Sequence, residues 1–549
     1  MRIGIDLGTT NCCVAAYCSI LSPSGVHLGE QFRLVPSGSF STTPSYITIS
    51  NSVCAQFGRE SKNKQSMNSA NTVFEVKRLI GRRFSESEVQ ENVERGLNGD
   101  PPRWPFKVES DNTNEDKPVI SLPINGNDQS FSPEKISGML LKHLKETAEK
   151  FLGESSITEA TITCPAYFND GQRHATMDAA ELAGFEDVSL LNEPTAAALA
   201  YKQLNSDSIG QRLLVFDFGG GTLDCSIVDI HKDDITVIAS GGDCYLGGAD
   251  IDRVLVDYCL NKFQEQFCQS SREKITVRKM SLLKREVESA KEDLSINETA
   301  EIIVDEFFEG QDFVVTLTRQ ELENRCSSLF QRCLYTVEEV MKRANIRDNQ
   351  LDAVLLVGGS SRIPKIQEIM KRKFGGKVLS TVQPDHAIAF GACVAHLHTL
   401  YDVTSHSLGI RVRSKSTLIE DNTMSIIIPR FSRYPCVFTE NYYTCENDQT
   451  RIAIDIYQGE SVLASENNLL GKFVLSGLPA LPAGIASAAV TMSMCKDGIL
   501  TVTARDRSNS DNSSQLEVNS SKGRLTREQK QVQKIEVNDY FRTLIEKSK

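Results

Sequence analysis

Long apolar segments, an excess of positive charge and cysteines at metal-ligand spacing are all missing from this chain of 549 residues. No uncharged apolar run approaches the roughly 20 residues that a membrane-spanning helix needs. The formal net charge of −12 argues against nucleic acid as a bulk electrostatic partner. The 15 cysteines are scattered, odd in number and without metal-ligand spacing, which favours reduced core thiols. We therefore expect a protein that binds neither membrane nor nucleic acid.

The N-terminus and the thiols together suggest a compartment. The first predicted strand begins at Arg2 or Ile3, which leaves no room for a signal or transit peptide. Thiols that stay reduced are typical of a reducing environment. A cytoplasmic location is therefore expected, with the nucleus as a second candidate.

The length exceeds what one hydrophobic core supports, so several domains or subdomains are expected. Strand and helix signals alternate up to about residue 398, which predicts an α/β class. From about 404 to 522 helix signals nearly vanish and period-two alternation takes over, as at Ile452, Ile454 and Ile456. This pattern predicts a separate antiparallel β domain. A last helix begins at Thr526, with Gln529 as its capping-box partner.

Two stretches share one pattern, in which a short apolar strand ends in Asp and is followed by Gly and hydroxyl residues. They are IGIDLGTT at 3–10 and LLVFDFGGGTLD at 213–224. Glycines let the backbone approach a ligand, and a turn of exposed N–H groups forms an anion-binding concavity. Asp6 and Asp217 beside such turns could hold a hydrated divalent cation against phosphate oxygens. One such loop is weak evidence, but two of them indicate a duplicated nucleotide-binding lobe.

Six segments in a fixed order are more specific than any single glycine motif. They are IGIDLGTTN, NTVFEVKRLIGRRF, CPAYFNDGQR, NEPTAAALAY, FDFGGGTLD and LLVGGSSRIPKIQ. In this order they resemble the 70 kDa heat-shock proteins, which are ATP-driven chaperones. The resemblance is strong over 1–398 and moderate over 404–522.

The resemblance implies an α/β, actin-like, two-lobed nucleotide-binding domain followed by an antiparallel β-sandwich domain and a short C-terminal helix. The implied boundaries are 1–398 for the ATPase domain, 399–403 for a shortened interdomain linker, 404–522 for the peptide-binding domain and 523–549 for a truncated helical tail.

The resemblance also implies roles for individual residues. The implied catalytic residues are Asp6, Lys77, Glu193, Asp217 and Thr222, with Mg²⁺ held through water by Asp6 and Asp217. The implied contacts with ATP or ADP are Gly8, Thr9, Thr10, Gly219, Gly220, Gly221, Gly248, Glu288, Lys291, Ser295, Gly358, Gly359, Ser360, Arg362 and Asp385. K⁺ is a further candidate cofactor. Pro165, Arg173 and Asp402 match allosteric positions, and Ile410, Tyr442, Cys445, Ile452 and Ile454 match the apolar lining of the peptide groove.

Taken singly, several of these residues have plain structural explanations. Lys77 alone would be interpreted as a solvated surface lysine, Glu193 as a helix cap before proline, and Arg362 as a surface ion-pair former. Their functional interpretation depends on the order of the six segments.

The sequence departs from the family pattern at several points. The linker is short, the first loop of the β domain carries extra residues over 411–422, and polar residues such as Arg413 or Glu420 stand there. Ser189 stands where the family often has an arginine that contacts J-domain partners. The lid is cut to about Thr526–Lys549 without an acidic tetrapeptide, so we expect fast peptide exchange and no tetratricopeptide co-chaperone.

One further departure concerns the nucleotide itself. Glu292 stands where some family members carry an arginine that stacks on adenine. An acid cannot make that cation–π contact, so weaker nucleotide affinity is expected.

The implied function is ATP-dependent chaperoning of unfolded or nascent polypeptides, with a J-domain co-chaperone and a nucleotide exchange factor as partners. A non-cycling, ATP-binding co-chaperone or ribosome-associated scaffold is the alternative. Intact Lys77 and Asp217 favour the enzyme, whereas the short linker, altered groove and missing lid favour the scaffold. A metabolite kinase on the same fold would leave the β domain unexplained.

Overall fold

A computed structural model describes residues 1–21, 27–51, 54–93, 103–111, 116–154, 156–267, 274–379, 383–413, 422–509, 511–517 and 525–547. The elements up to residue 204 are β1 (Arg2–Asp6), β2 (Asn11–Leu21), β3 (His27–Leu34), β4 (Thr43–Pro44), β5 (Tyr46–Asn51), β6 (Cys54–Phe57), α1 (Gly58–Lys64), β7 (Thr72–Phe74), α2 (Ser87–Val93), β8 (Lys107–Asp111), β9 (Lys117–Ile124), β10 (Asn127–Phe131), α3 (Pro133–Leu152), β11 (Glu159–Cys164), α4 (Asp170–Leu182), β12 (Asp187–Asn192) and α5 (Glu193–Leu204).

The chain continues with a second alternation of strands and helices and then turns to strands. The remaining elements are β13 (Arg212–Phe218), β14 (Leu223–Ile230), β15 (Asp234–Asp243), α6 (Gly248–Phe267), α7 (Val277–Asp293), β16 (Thr299–Phe308), β17 (Gln311–Thr318), α8 (Arg319–Arg325), α9 (Ser327–Arg343), β18 (Ala353–Val357), α10 (Pro364–Phe374), β19 (Val378–Leu379), α11 (Ala387–Val394), β20 (Thr399–Val403), β21 (Leu408–Val412), β22 (Thr423–Ile428), β23 (Arg433–Tyr434), β24 (Cys436–Tyr443), β25 (Arg451–Gln458), β26 (Asn468–Ser476), β27 (Ser487–Met494), β28 (Leu500–Asp506), β29 (Ser513–Glu517) and α12 (Arg527–Lys547).

Two mixed sheets carry the two Asp-Gly motifs. The first has the order β12-β11-β1-β2-β3, with β4 paired to β2, and the second has the order β19-β18-β13-β14-β15-β20-β23. In each sheet the motif strand, β1 or β13, has one parallel neighbour and one antiparallel hairpin partner. The two glycine loops therefore leave equivalent strands, as the repeated pattern predicts, and the α/β class is confirmed.

Each sheet has a hydrophobic core of its own. The first core includes Ile3 and Ile5 of β1 and Leu140 of α3, and the second includes Phe216 of β13 and Leu255 of α6. We call these the first core and the second core. A third cluster contains the alanines of α5 and the small residues of α11.

Helices α5 and α11 cross very closely because glycine stands at their contact. A Cβ atom at Gly391 would lie 1.7 Å from the carbonyl oxygen of Ala196, so no larger residue fits there. The small residues of the two helices thus allow their backbones to approach each other closely.

Local helix signals are confirmed where they were strongest. The Ser132 hydroxyl accepts the Lys135 N–H at 3.1 Å, which caps α3 ahead of its proline. At α12, Thr526 and Gln529 exchange two hydrogen bonds of 2.8 and 3.1 Å, which is the predicted capping box.

The β-rich region forms two sheets that share a core. Their orders are β22-β21-β25-β26 and β24-β27-β28-β29. Ile456 of one sheet and Val490 and Val502 of the other are fully buried in the same cluster, which agrees with the period-two pattern. Residues 414–421, including Glu420, lie outside the described residues, so the extra-loop prediction is untested there.

The predicted linker is a strand. Strand β20 pairs in parallel with β15, where Asp234 faces Thr399, and antiparallel with β23, where Asp402 faces Tyr434. Residues on both sides of the expected boundary at 398 thus belong to one sheet. The open edge of β15 supplies the unpaired backbone groups that this strand satisfies.

The C-terminal helix lies against the first core. Val537, Tyr540 and Phe541 of α12 are buried in it, and Lys530 lies 2.6 Å from Asp178 of α4. Among the described helices, none is both long and apolar enough to cross a membrane.

Candidate functional site

A cavity of about 630 Å³ lies between the ends of the two motif strands. It is lined by all five predicted catalytic residues and by every predicted nucleotide contact except Gly221. Segments far apart in the sequence therefore converge on one site.

The two glycine loops are in direct contact with each other. A Cβ atom at Gly220 would lie 2.0 Å from Thr10 Oγ1, and one at Gly221 would lie 2.6 Å from Thr9 Cγ2. Only glycine permits this approach, and Gly221 packs behind Thr9, outside the lining. Residues of both loops line the cavity, and glycine turns of this kind can bind an anion through their N–H groups.

Lys77 and Glu193 form a buried ion pair at the cavity, with Nζ and Oε1 2.5 Å apart. Lys77 lies in a short 3-10 turn, Val76–Arg78, that follows a left-handed residue, Glu75. Burial lowers the pKa of Lys77, but the carboxylates of Glu193 and Asp6 outweigh it and the pKa is raised. The lysine is therefore a fixed cation and not the solvated surface residue of the plain interpretation.

Three aspartates are buried close to this pair. Burial, with the nearby Glu193, raises the pKa of Asp6 to about 7 and that of Asp217 well above its usual value. Asp224 faces Asp217 across the β13–β14 ladder, and burial raises its pKa to about 7. Asp224 was not among the predicted site residues, although its place two residues after Thr222 in the motif could have indicated it.

This acidic group suits a hydrated cation. Thr10 Oγ1 and Asp224 Oδ1 are buried and have no hydrogen-bond partner among the described residues. Throughout the residues that the structure describes, no group of three His, Cys, Asp or Glu side chains is close enough to bind a metal directly. The buried hydroxyl and carboxylate oxygens fit a hydrated ion that also contacts phosphate oxygens.

The predicted adenosine-side residues adjoin the loop that follows Asp217. Ser360 Oγ donates to the Gly219 carbonyl at 2.8 Å, and Gly248 lies so close to Ser360 that a Cβ atom would be 2.5 Å from its hydroxyl oxygen. Gly358 has φ +78°, and its Cβ position is 2.4 Å from the Phe218 carbonyl oxygen, so glycine is required. Arg362 and Asp385 pair with each other at the rim.

Two ion-pair partners of these residues were not among the predicted site residues. Lys291 Nζ lies 2.8 Å from Asp252 Oδ2, and Glu288 lies 2.9 Å from Lys62. Asp252 belongs to a stretch rich in glycine and acidic residues, 241–252, and this composition could have indicated a binding site. Lys62 has no local signal, because its partner lies far away in the sequence.

The predicted allosteric residues lie where the β-rich region meets the first sheet. Arg173 is buried and donates to Asn192 Oδ1 at 2.7 Å, while Thr195 donates to Asp402 Oδ2 at 2.7 Å. The Pro165 carbonyl accepts the local Phe168 N–H at 3.1 Å. Asn192 also donates to the Tyr434 hydroxyl at 3.3 Å, a contact that sequence analysis missed.

The predicted peptide-binding residues are not gathered on one open surface. Ile410 and Ile454 are buried in the core of the β-rich region, and Ile452 and Tyr442 pack against it. Cys445 is exposed. The departure at Ser189 has a local effect, since its hydroxyl accepts a hydrogen bond of 3.1 Å from Arg2.

Comparisons with known proteins show the family of the chain. A family model described as "Hsp70 protein" matches residues 2–543. The chain is 39% identical over 535 residues to "Heat shock cognate 70 kDa protein 3" of Dictyostelium discoideum, covering 95% of this chain and 81% of the relative. It is 37% identical to the "Heat shock 70 kDa protein" of Neurospora crassa, covering 96% and 79%. Because the matches span nearly the whole sequence, the chain belongs to the Hsp70 family.

Proposed function

We propose that this protein is an ATP-hydrolysing chaperone that binds extended apolar segments of unfolded or nascent polypeptides. The carrying observation is the buried Lys77–Glu193 pair, which faces Asp6 and Asp217 between two contacting glycine loops. We assign residues 1–398 to the ATPase part, with the first and second cores as its two lobes. We assign 399–403 to the linker, 404–522 to peptide binding and 523–549 to a helical tail.

Phosphoryl transfer asks mainly for positioning and charge neutralisation. In the proposed site the loop N–H groups and the hydroxyls of Thr9, Thr10 and Thr222 bind the phosphates. Lys77 neutralises charge that develops on the transferred group, and Glu193 orients this lysine through the 2.5 Å pair. Asp6, Asp217 and Asp224 would hold Mg²⁺ through water. The bound ion supplies charge neutralisation and a template for the phosphate oxygens.

The route from the cleft to the peptide domain runs through the start of α5. Glu193 is the first residue of this helix, and its neighbours Asn192 and Thr195 bind Tyr434 and Asp402. Docking of the β-rich region therefore fixes the turn that carries Glu193. This continuity supports coupling between hydrolysis and peptide binding despite the short linker, with the Arg173–Asn192 bond as a second tie.

Peptide-stimulated turnover is the decisive test. Single-turnover ATP hydrolysis of the full chain is measured with and without an apolar peptide, beside Lys77→Ala as the inactive control. We expect the peptide to accelerate hydrolysis and the control to abolish it. Tight ATP binding with turnover indifferent to peptide would favour the non-cycling scaffold instead.

The proposed co-chaperones and cellular location rest on the same proposal. A cycling member requires factors that trigger hydrolysis and nucleotide exchange, so we propose a J-domain co-chaperone and an exchange factor acting in the cytoplasm. Addition of each factor to the single-turnover and nucleotide-release assays tests this directly.

A further inference from the structure

The residue after Lys77 contacts the opposite side of the cleft. Lys77 and Arg78 share one 3-10 turn that packs with the first core. Lys77 faces Glu193 in the cavity, whereas Arg78 Nη2 lies 3.0 Å from Asp250 Oδ2. Asp250 is in the first turn of α6, which packs in the second core. One turn thus carries the phosphate-facing lysine and a bridge between the two cores.

Arg103 makes a second bridge to the same carboxylate. Its Nη1 lies 3.2 Å from Asp250 Oδ1, and its Nε lies 2.5 Å from Glu75 Oε2. Glu75 Oε2 is also 3.2 Å from Arg78 Nε. Two guanidinium groups and two carboxylates therefore form a closed set, Glu75, Arg78, Arg103 and Asp250, which we call the bridging ion cluster.

The bridging ion cluster is buried and balanced in charge. The exposed fractions of its side chains are 2% for Arg78, 9% for Arg103, 12% for Glu75 and 14% for Asp250. Burial raises the pKa of Glu75, but Arg103 and Arg78 outweigh it and the pKa is lowered. Removal of one member would leave a buried charge unpaired, which is strongly destabilising.

Further contacts tie the cluster to both sides of the cleft. Lys284 of α7 donates from Nζ to the Arg103 carbonyl at 3.0 Å, and the Gly247 N–H donates to Asp250 Oδ2 at 2.9 Å. Glu75 and Arg103 themselves line the nucleotide cavity. The left-handed φ of +54° at Glu75, uncommon for a residue with a side chain, fits a backbone held in place by these contacts.

We propose that Arg78 and Arg103 are positioning residues that tie the two lobes together through Asp250, and that nucleotide leaves only when the bridging ion cluster opens. The inference rests on the proposed ATPase function. Closing the cluster places Lys77 at the phosphate end of the cavity, because Arg78 and Lys77 move with the same turn. Opening it separates Lys77 from the loops of the second core and frees the nucleotide.

Release of a fluorescent ADP from the full chain, followed by stopped flow, tests the proposal. Arg103→Gln and Asp250→Asn are each expected to accelerate release at least about tenfold, as loss of a buried charge pair does at interfaces. The double variant should release ADP no faster than the faster single variant, since both substitutions open one cluster. The matched control is Arg212→Gln, because Arg212 binds Asp229 bidentately within a single sheet.

A second readout separates positioning from general damage. At saturating ATP the single-turnover rate should fall less than the release rate rises, and Arg103→Lys should recover part of the slow release. Release rates within twofold of the parent in Arg103→Gln would overturn the proposal and leave the ATPase function standing. So would effects that multiply in the double variant, which would mean that Arg103 acts on the nucleotide itself.

A parent protein that binds no adenine nucleotide would defeat the proposed function. The tie between the lobes is then measured by amide hydrogen exchange over 247–251 in the nucleotide-free chain. Faster exchange in Arg103→Gln, together with a parent-like exchange rate in the Arg212→Gln control, supports the tie between the lobes. Unchanged exchange overturns it.

Discussion

Asn192 donates from its side-chain amide to the hydroxyl of Tyr434 at 3.3 Å, one residue before the glutamate that pairs with Lys77. The two residues are 242 positions apart in the chain. The contact joins the β-rich region to the start of α5 and so to the cleft. Because Tyr434 is buried, its hydroxyl has no water to replace Asn192 if the bond is lost.

Tyr434→Phe should therefore weaken coupling more than catalysis. The ring stays in place and only the hydroxyl is removed, so we expect basal single-turnover hydrolysis within about threefold of the parent, the size of effect of one neutral hydrogen bond. Stimulation by peptide should fall markedly. Tyr443→Phe, at an exposed tyrosine of the same region, is the control. Full stimulation in Tyr434→Phe would contradict this route.

The Lys77–Glu193 pair makes a second prediction. Glu193→Gln keeps the shape but leaves the buried ammonium of Lys77 without its closest carboxylate. We expect single-turnover hydrolysis to fall about 100-fold or more, as for loss of a preorganised charged group in an active site. ATP binding, measured by titration, should weaken far less. A variant that hydrolyses ATP at the parent rate would show that Glu193 is only a helix cap.

The raised pKa values of the aspartates predict how stability depends on pH. Burial, with Glu193 nearby, raises the pKa of Asp6 and of Asp224 to about 7 in the folded protein, from an ordinary value of 3.8. Between these values the folded state binds more protons than the unfolded state, so stability without ligand falls as pH rises from about 4 to about 7. Thermal unfolding across this window should show the loss.

Two comparisons check the cause of that pH dependence. Asp224→Asn should flatten it, because an amide does not titrate. Mg²⁺ with nucleotide should also flatten it, since a nearby cation lowers carboxylate pKa values. A profile that is the same in the parent, in the variant and with ligand would refute the aspartates as its source.

Local chemistry explains which parts of this molecule could be predicted. The Asp6 and Asp217 loops and the Ser132 cap depend on residues adjacent in sequence, and the structure has them as expected. The bond from Arg103 to Asp250 joins residues 147 positions apart, and no short sequence pattern predicts such a partner. The pairing of strand β20 within the predicted linker could not be foreseen, because it depends on the free edge of β15 and not on the strand's own residues.

Glu292, which stands on the proposed adenine side of the cavity, supplies the last prediction. Glu292 lines the cavity together with Ser295 and Ile296, and it is exposed. An arginine at this position could stack on the base, and such cation–π contacts are worth about 0.5–1 kcal/mol at exposed sites, so Glu292→Arg should lower the Kd for ATP by about two- to fivefold. The single-turnover rate should not change, because Glu292 is not one of the proposed catalytic or phosphate-binding residues. Glu292→Gln, which removes the charge without adding a cation, separates the loss of repulsion from the gain of stacking. Equal affinity in the parent and the arginine variant, measured by equilibrium titration, would mean that the acid at 292 does not limit nucleotide binding.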